Sequence, residues 1–206
     1  MVLIKNPSHD YVYDGYEDVM VETEDVKNIY VYEDFISSED LLKINDYIQS
    51  GIFTSGAIHE FPYETLEFGQ DKDVMVETEA EIISIMRAYR DKAALLLEEA
   101  FDCKVALSEI AGLTKFKTGE NLEEHADKVC ASWRDLSTSL YYNEDFEGGE
   151  LYFSQYDLTF KPKAGMLIYF PAGANYQHRV NYITSGTRYA TTTFWKVEEW
   201  RSIKYS

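Results

Sequence analysis

The rhythm of hydrophobic and polar positions changes near residue 102. Upstream, NIYVYEDFISSEDLLKINDYIQSG (28–51) opens with a short β-prone run and reaches Ser37, a helix-capping residue type. Leu41, Leu42, Ile44, Tyr47 and Ile48 follow before Gly51. This predicts a strand and then a helix. From Thr78, TEAE offers a capping box, and Ile82, Met86, Tyr89, Ala93, Leu96, Leu97 and Ala100 recur at helical spacing, which predicts a second, longer helix. Between the two, residues 53–76 (including FPYETLEFGQDKD) lack periodicity and read as a surface loop or as a lid over a substrate. The tyrosine-rich lead from Tyr11 to Asp25 reads as loose chain or an edge strand.

After Cys103 the chain turns to short runs rich in Tyr, Phe, Thr, Ile and Val, separated by the turn signals KTGE, EDFEGGE, KPKAG, PAGAN and TSGT. Helices first and many short strands afterward predict a mainly β protein with flanking α-helices, a sheet sandwich or barrel. The 206 residues suit one domain, with helical support over about 26–101 and a β core over about 103–197.

Composition removes some functions. With 45% hydrophobic and 15% aromatic residues the chain can bury a core, so its net charge of −18 belongs on a folded surface. That charge repels phosphate, which argues against nucleic acid or an anionic membrane as partner. No signal-like h-region or membrane-length apolar run is present, and two isolated cysteines, Cys103 and Cys130, make neither a disulfide framework nor a metal motif. A cytoplasmic protein is expected.

The candidate chemistry centres on EEHADKVC (123–130). In a strand over 122–130, His125 and Asp127 would share a face and could reach one metal ion, although a bare His-x-Asp is common on surface strands. The other histidine of the β-rich half is His178, opening a predicted strand. Two imidazoles and a carboxylate form a facial triad suited to ferrous iron, whereas structural zinc favours closed, cysteine-rich sites. Ten residues on, Arg188, Ala190, Thr192 and Phe194 alternate onto one face; an inward guanidinium beside a hydroxyl would receive a carboxylate ligand, or else pair with one of the 37 acids. Tyr141 shares a face with Ser137 and Ser139, a polar stripe that fits a polar pocket or solvent.

HAD (125–127), YYNEDFEGGEL (141–151), PKAGMLIYFPAG (162–173) and HRVNYITSGTRY (178–189) together resemble the iron and 2-oxoglutarate dependent dioxygenases, most of all the prolyl 4-hydroxylase-like branch. The resemblance covers about residues 112–196, and the strand and helix of 28–48 resemble the opening of such domains. It implies a double-stranded β-helix, a cupin-like jelly roll, with helices on its outer side. It also implies iron ligation by His125, Asp127 and His178, a salt link from Arg188 to the distal carboxylate of 2-oxoglutarate, and secondary contacts from Thr192 and Tyr141. Dioxygen would be the cosubstrate and ascorbate a reductant. Phe116 stands where many relatives carry a tyrosine that bonds the cosubstrate. Arg134, after Trp133, lies where relatives often place a substrate-binding arginine, so both are candidate substrate contacts. Nucleic-acid demethylases of the superfamily carry a second arginine at the position of Phe194.

The implied reaction is hydroxylation of an unactivated C–H bond with release of succinate and carbon dioxide, on a prolyl residue of a peptide or protein or on an amino acid or other small molecule. A noncatalytic, cupin-like metal- or ligand-binding module and a purely structural β-sandwich are the rivals. Met166, Leu167, Ile168, Tyr152, Phe153 and Trp195 read as packing residues, the glycines of GGEL and PKAG as turn residues, and His9 and His59 carry no assigned chemistry. Oligomeric state is open.

Overall fold

The computed structural model describes residues 2–3, 28–50, 54–55, 64–66 and 77–201. In chain order the strands and helices are β1 (Val2–Leu3), β2 (Tyr30–Tyr32), α1 (Ser38–Ser50), β3 (Thr54–Ser55), β4 (Glu64–Leu66), α2 (Glu77–Ala100), β5 (Cys103–Lys117), β6 (Leu122–His125) and α3 (Asp127–Cys130). There follow β7 (Leu136–Tyr141), β8 (Glu147–Gly148), β9 (Leu151–Phe153), β10 (Leu158–Phe160), β11 (Leu167–Pro171), β12 (His178–Val180), β13 (Ile183–Ser185) and β14 (Thr187–Trp200). A large sheet runs β1-β2-β11-β7-β14-β5-β4-β3, facing a small one of order β10-β9-β12-β6, with β13 and β8 as a separate pair. This is the expected jelly roll.

Alternation along β7 and β14 sorts side chains onto two faces of the large sheet. The outer face receives the helices: Leu136, Leu167, Tyr169 and Trp195 pack against Ile44 and Ile48 of α1 and Ile82, Met86, Ala93 and Leu97 of α2. Each such fully buried aliphatic side chain stabilises by about 1.5–3 kcal/mol. The inner face packs Val31, Ile168, Phe170, Tyr141 and Ala190 against Leu151, Phe153 and Phe160 of the small sheet. Lys92 of α2 clamps the first layer, donating to the Phe35 carbonyl at 2.9 Å while lying 4.3 Å from the Phe35 ring centre.

Local chemistry explains the element ends. Ser37 caps α1: its Oγ accepts from the Asp40 amide at 3.1 Å and donates to the Asp40 carboxylate at 2.8 Å. Leu42, read as part of the apolar stripe, is instead exposed, while Leu41 packs inward. α2 already includes Glu77, so Thr78 lies inside its first turn rather than at the cap. Gly148 and Gly149 both have positive φ, +76° and +67°, and a Cβ on Gly148 would meet the Tyr182 carbonyl oxygen at 2.0 Å. The EGGE segment therefore needs glycine for both conformation and space.

The reading of 53–76 as loop is corrected in part. β3 and β4 form a hairpin on the edge of the large sheet, with β4 paired to β5 and Glu64 bound to Lys115 and Lys117. The remaining lid positions, His59, His9 and the Tyr11–Asp25 lead lie outside the described residues. Among the described residues no helix is long and apolar enough to cross a membrane.

Candidate metal centre and anion pocket

The small sheet brings the two histidines together. β12 runs antiparallel to β6 with His178 opposite His125, and their ring centres lie 4.5 Å apart. Asp127 does not continue β6 as the sequence suggested. The strand ends at His125, Ala126 stays extended (φ −114°, ψ 136°), and Asp127 opens the single turn α3. One extended residue suffices to keep Asp127 on the face of His125.

The ligand-type atoms of His125, Asp127 and His178 all lie within 4.8 Å of one another. Asp127 Oδ1 is 3.4 Å from His125 Nε2 and 3.9 Å from His178 Nε2. The opposite ring nitrogens face carbonyls, His125 Nδ1 that of Glu123 at 2.8 Å and His178 Nδ1 that of Tyr176 at 3.0 Å. A carbonyl only accepts, so each Nδ1 carries the proton and each Nε2 presents its lone pair inward. Two lone pairs and a carboxylate oxygen at these distances repel one another unless a cation sits among them. The donor set therefore fits a divalent metal held on one face.

The three groups are shifted in different directions. Burial between the Phe153 and Phe170 rings, with centre distances of 5.5 and 5.0 Å, pulls the His178 imidazole below its ordinary range. Burial also opposes charge on His125, but the Asp127 carboxylate outweighs it and raises that imidazole. Burial favours neutral Asp127, yet His178, His125 and the Ser137 hydroxyl together hold its carboxyl below the usual range.

The rest of the inner face forms a second polar patch. Arg188, 3% exposed, pairs in register with Phe116 on β5; its guanidinium lies 5.0 Å from the Tyr141 ring and 5.2 Å from the Phe116 ring. Among the described residues no carboxylate pairs with it, and its Nε and the Tyr141 hydroxyl are buried without hydrogen-bond partners. Burial lowers the Arg188 pKa and raises that of Tyr141. A buried cation with no carboxylate partner among the described residues, beside a buried phenol, fits an anionic ligand. Thr192, half-buried, shares this face and pairs with Ser139, while Ala190 pairs with Tyr141. Phe116 offers no hydroxyl to the patch.

Arg134 stacks on Phe194 at 3.6 Å, with Trp133 5.8 Å away, and its charge reaches His125. Of the two substrate candidates, Arg134 is thus the one whose charge is felt at the centre. Two supporting residues were not identified from sequence. Ser137, read only as part of a polar stripe, donates to Asp127 at 2.6 Å. Asp135 is buried, accepts from the Val197 amide at 2.9 Å and meets Lys128 Nζ at 3.4 Å, tying α3 to the large sheet. Its lone position before a strand gave no signal.

Residues 111–196 match the family profile described as the 2OG-Fe(II) oxygenase superfamily. The rat (Rattus norvegicus) 2-oxoglutarate and iron-dependent oxygenase domain-containing protein 3 is 32% identical over 127 residues, covering 54% of this chain and 40% of that protein. Human (Homo sapiens) prolyl 3-hydroxylase 2 is 38% identical over 72 residues, 32% of this chain and 10% of that protein. The chain thus spans less than half the length of these relatives. Among solved structures, a Trichoplax adhaerens prolyl hydroxylase in complex with a hypoxia inducible factor peptide shares the fold with a TM-score of 0.66 at 16% identity, over 87% of this chain and 88% of that one. The collagen prolyl hydroxylase of Paramecium Bursaria Chlorella virus-1 does so with a TM-score of 0.60 at 19% identity, over 82% and 96%. The β core, residues 111–196, is thus similar to the 2OG-Fe(II) oxygenase superfamily, in agreement with a fold built around the His125–Asp127–His178 cluster.

Proposed function

We propose that this protein is an Fe(II)- and 2-oxoglutarate-dependent dioxygenase that hydroxylates an unactivated C–H bond, with a prolyl residue of a peptide or protein as substrate. The observation that carries the reading is the presence, within one jelly roll, of a three-ligand cluster and a buried guanidinium with no carboxylate partner among the described residues. A metal-binding module without turnover has no use for the second. The prolyl substrate is supported by the relatives named as prolyl hydroxylases.

His125 Nε2, Asp127 Oδ1 and His178 Nε2 would hold iron, leaving positions for 2-oxoglutarate and dioxygen. When bound, these groups supply oxidative decarboxylation to succinate and carbon dioxide coupled to hydroxylation. Arg188 binds the distal carboxylate through charge-assisted hydrogen bonds, with Tyr141 and Thr192 as hydroxyl partners. The Phe153 and Phe170 rings exclude water behind His178. Arg134, whose charge reaches His125, and the neighbouring Trp133 position substrate.

Anaerobic titration with Fe(II) and 2-oxoglutarate tests the cofactor assignment: a visible charge-transfer band is expected in wild type and not in His178→Ala. Succinate release driven by proline-containing peptides, with oxygen added to a prolyl residue by mass spectrometry, tests the substrate. A band with turnover only on free amino acids would move the substrate to a small molecule, and no band at all would leave a binding module.

A further inference from the structure

Asp127 has two carboxylate oxygens, and the fold treats them differently. Oδ1 faces the two imidazoles, at 3.4 and 3.9 Å. Oδ2 accepts a 2.6 Å hydrogen bond from Ser137 Oγ. We infer that Ser137 is a positioning residue that keeps Asp127 a single-oxygen metal ligand and so preserves a coordination position that a two-oxygen carboxylate would fill. The inference rests on the metal-site reading above.

The restraint comes from where the two residues sit. Ser137 lies on β7, inside the large sheet, paired to Phe170 of β11 on one side and Phe194 of β14 on the other. Its backbone is fixed by both neighbours, so the sheet sets where its hydroxyl points. Asp127 begins a four-residue turn beyond the end of β6 and has far less local restraint. The turn is pinned elsewhere by Lys128, whose amide donates to the Ala172 carbonyl at 3.0 Å and whose ammonium reaches Asp135. Ser137 adds a pin on the second carboxylate oxygen, Oδ2.

Among the described residues, the hydrogen bond to Oδ2 comes from Ser137. Ser137 is 0% exposed and Asp127 4%, and the strand neighbours of Ser137 are phenylalanines. An O–H···O⁻ bond of this length is charge-assisted, and its loss leaves a buried anionic oxygen unsatisfied. A metal held by Oδ1 and the two imidazoles would then be open to Oδ2 as well. A six-coordinate ion with three protein ligand atoms leaves three positions, enough for a two-point chelate and dioxygen; a two-oxygen aspartate leaves two.

Mn(II) alone, added to the purified full chain, tests this in wild type, Ser137→Ala and Ser137→Thr. Free Mn(II) is counted by electron paramagnetic resonance, exchangeable bound waters by solvent proton relaxation, and folding by circular dichroism. Ser137→Ala is expected to bind Mn(II) roughly 10- to 100-fold more weakly, the range found when outer partners of metal ligands are removed, and to lose one exchangeable water. Ser137→Thr, which keeps the hydroxyl, is expected to restore both. Wild-type affinity in folded Ser137→Ala overturns the inference. A weaker affinity with an unchanged water count also overturns it, because Ser137 would then hold Asp127 without setting its number of bonds. If Ser137→Thr does not fold, the two readouts on Ser137→Ala decide alone. Failure of wild type to bind Mn(II) defeats the metal-site reading itself.

Discussion

The two faces of the large sheet carry the same residue types and use them in opposite ways. On the helix-covered face the buried hydroxyls are spent on the protein: Tyr142 donates to Thr191 at 2.9 Å, Trp195 to Thr138 at 3.1 Å, and Thr138 to the Thr193 carbonyl at 3.3 Å. On the inner face Ser137 turns to Asp127, while the Tyr141 hydroxyl and Arg188 Nε stay without hydrogen-bond partners among the described residues. Polar burial with partners is nearly neutral, and polar burial without them costs stability that only a ligand returns. One face is finished by folding; the other leaves polar groups open to a ligand.

The largest effect that can break this contrast is at the metal ligands. His178→Ala is expected to lower 2-oxoglutarate turnover by more than about 100-fold, beyond the usual cost of an outer partner, with an unchanged far-ultraviolet circular dichroism spectrum. Retained succinate production would remove the triad from the chemistry. Next comes Arg188. Arg188→Met keeps most of the volume but loses a charge-assisted contact of about 2 kcal/mol, so the 2-oxoglutarate requirement should rise roughly 30-fold or more while the iron requirement barely moves. Because an unpaired buried charge is removed, the variant without 2-oxoglutarate should melt no lower than wild type. A clear drop in melting temperature would make Arg188 a structural residue.

The outer face should show the converse. Leu97, on the inward side of α2, is 0% exposed, and Leu97→Ala should cost about 2–5 kcal/mol of stability. Denaturant unfolding would measure that cost, while the 2-oxoglutarate and iron requirements of the folded fraction stay unchanged. A matching change in the 2-oxoglutarate requirement would mean that the two faces are coupled. The smallest effect is the pH dependence of metal binding. Asp127 raises the pKa of His125, so a proton competes with the metal there as pH falls through the raised value; His178, lowered by burial, stays neutral over the same window. Apparent Mn(II) affinity should fall by at most about tenfold per pH unit, the signature of one proton, and a steeper fall would implicate both imidazoles.

Periodic segments were legible in the sequence because burial imposes their period. The Ile82–Leu97 stripe announced α2, and alternation over Ser137–Tyr141 and Arg188–Phe194 placed the correct residues on the inner face before any partner was known. The His125–Asp127–His178 grouping was legible as spacing, but not the end of β6 at His125, since one extended alanine gives the same geometry as a longer strand. The Ser137–Asp127 bond was not legible because it joins the large sheet to a turn after the small one, and only the packing of the two sheets sets that distance. β3 and β4, two and three residues long, are too short for any period to show.

β6 has a further consequence. It is the outermost strand of the small sheet, and such strands can recruit the backbone of another chain. Its Glu123 and Glu124 are exposed, so any chain adding itself along this edge would meet two carboxylates. Part of the chain's strong acidity thus lies along a sheet edge, on the strand that also carries His125, where it would oppose pairing with another acidic strand.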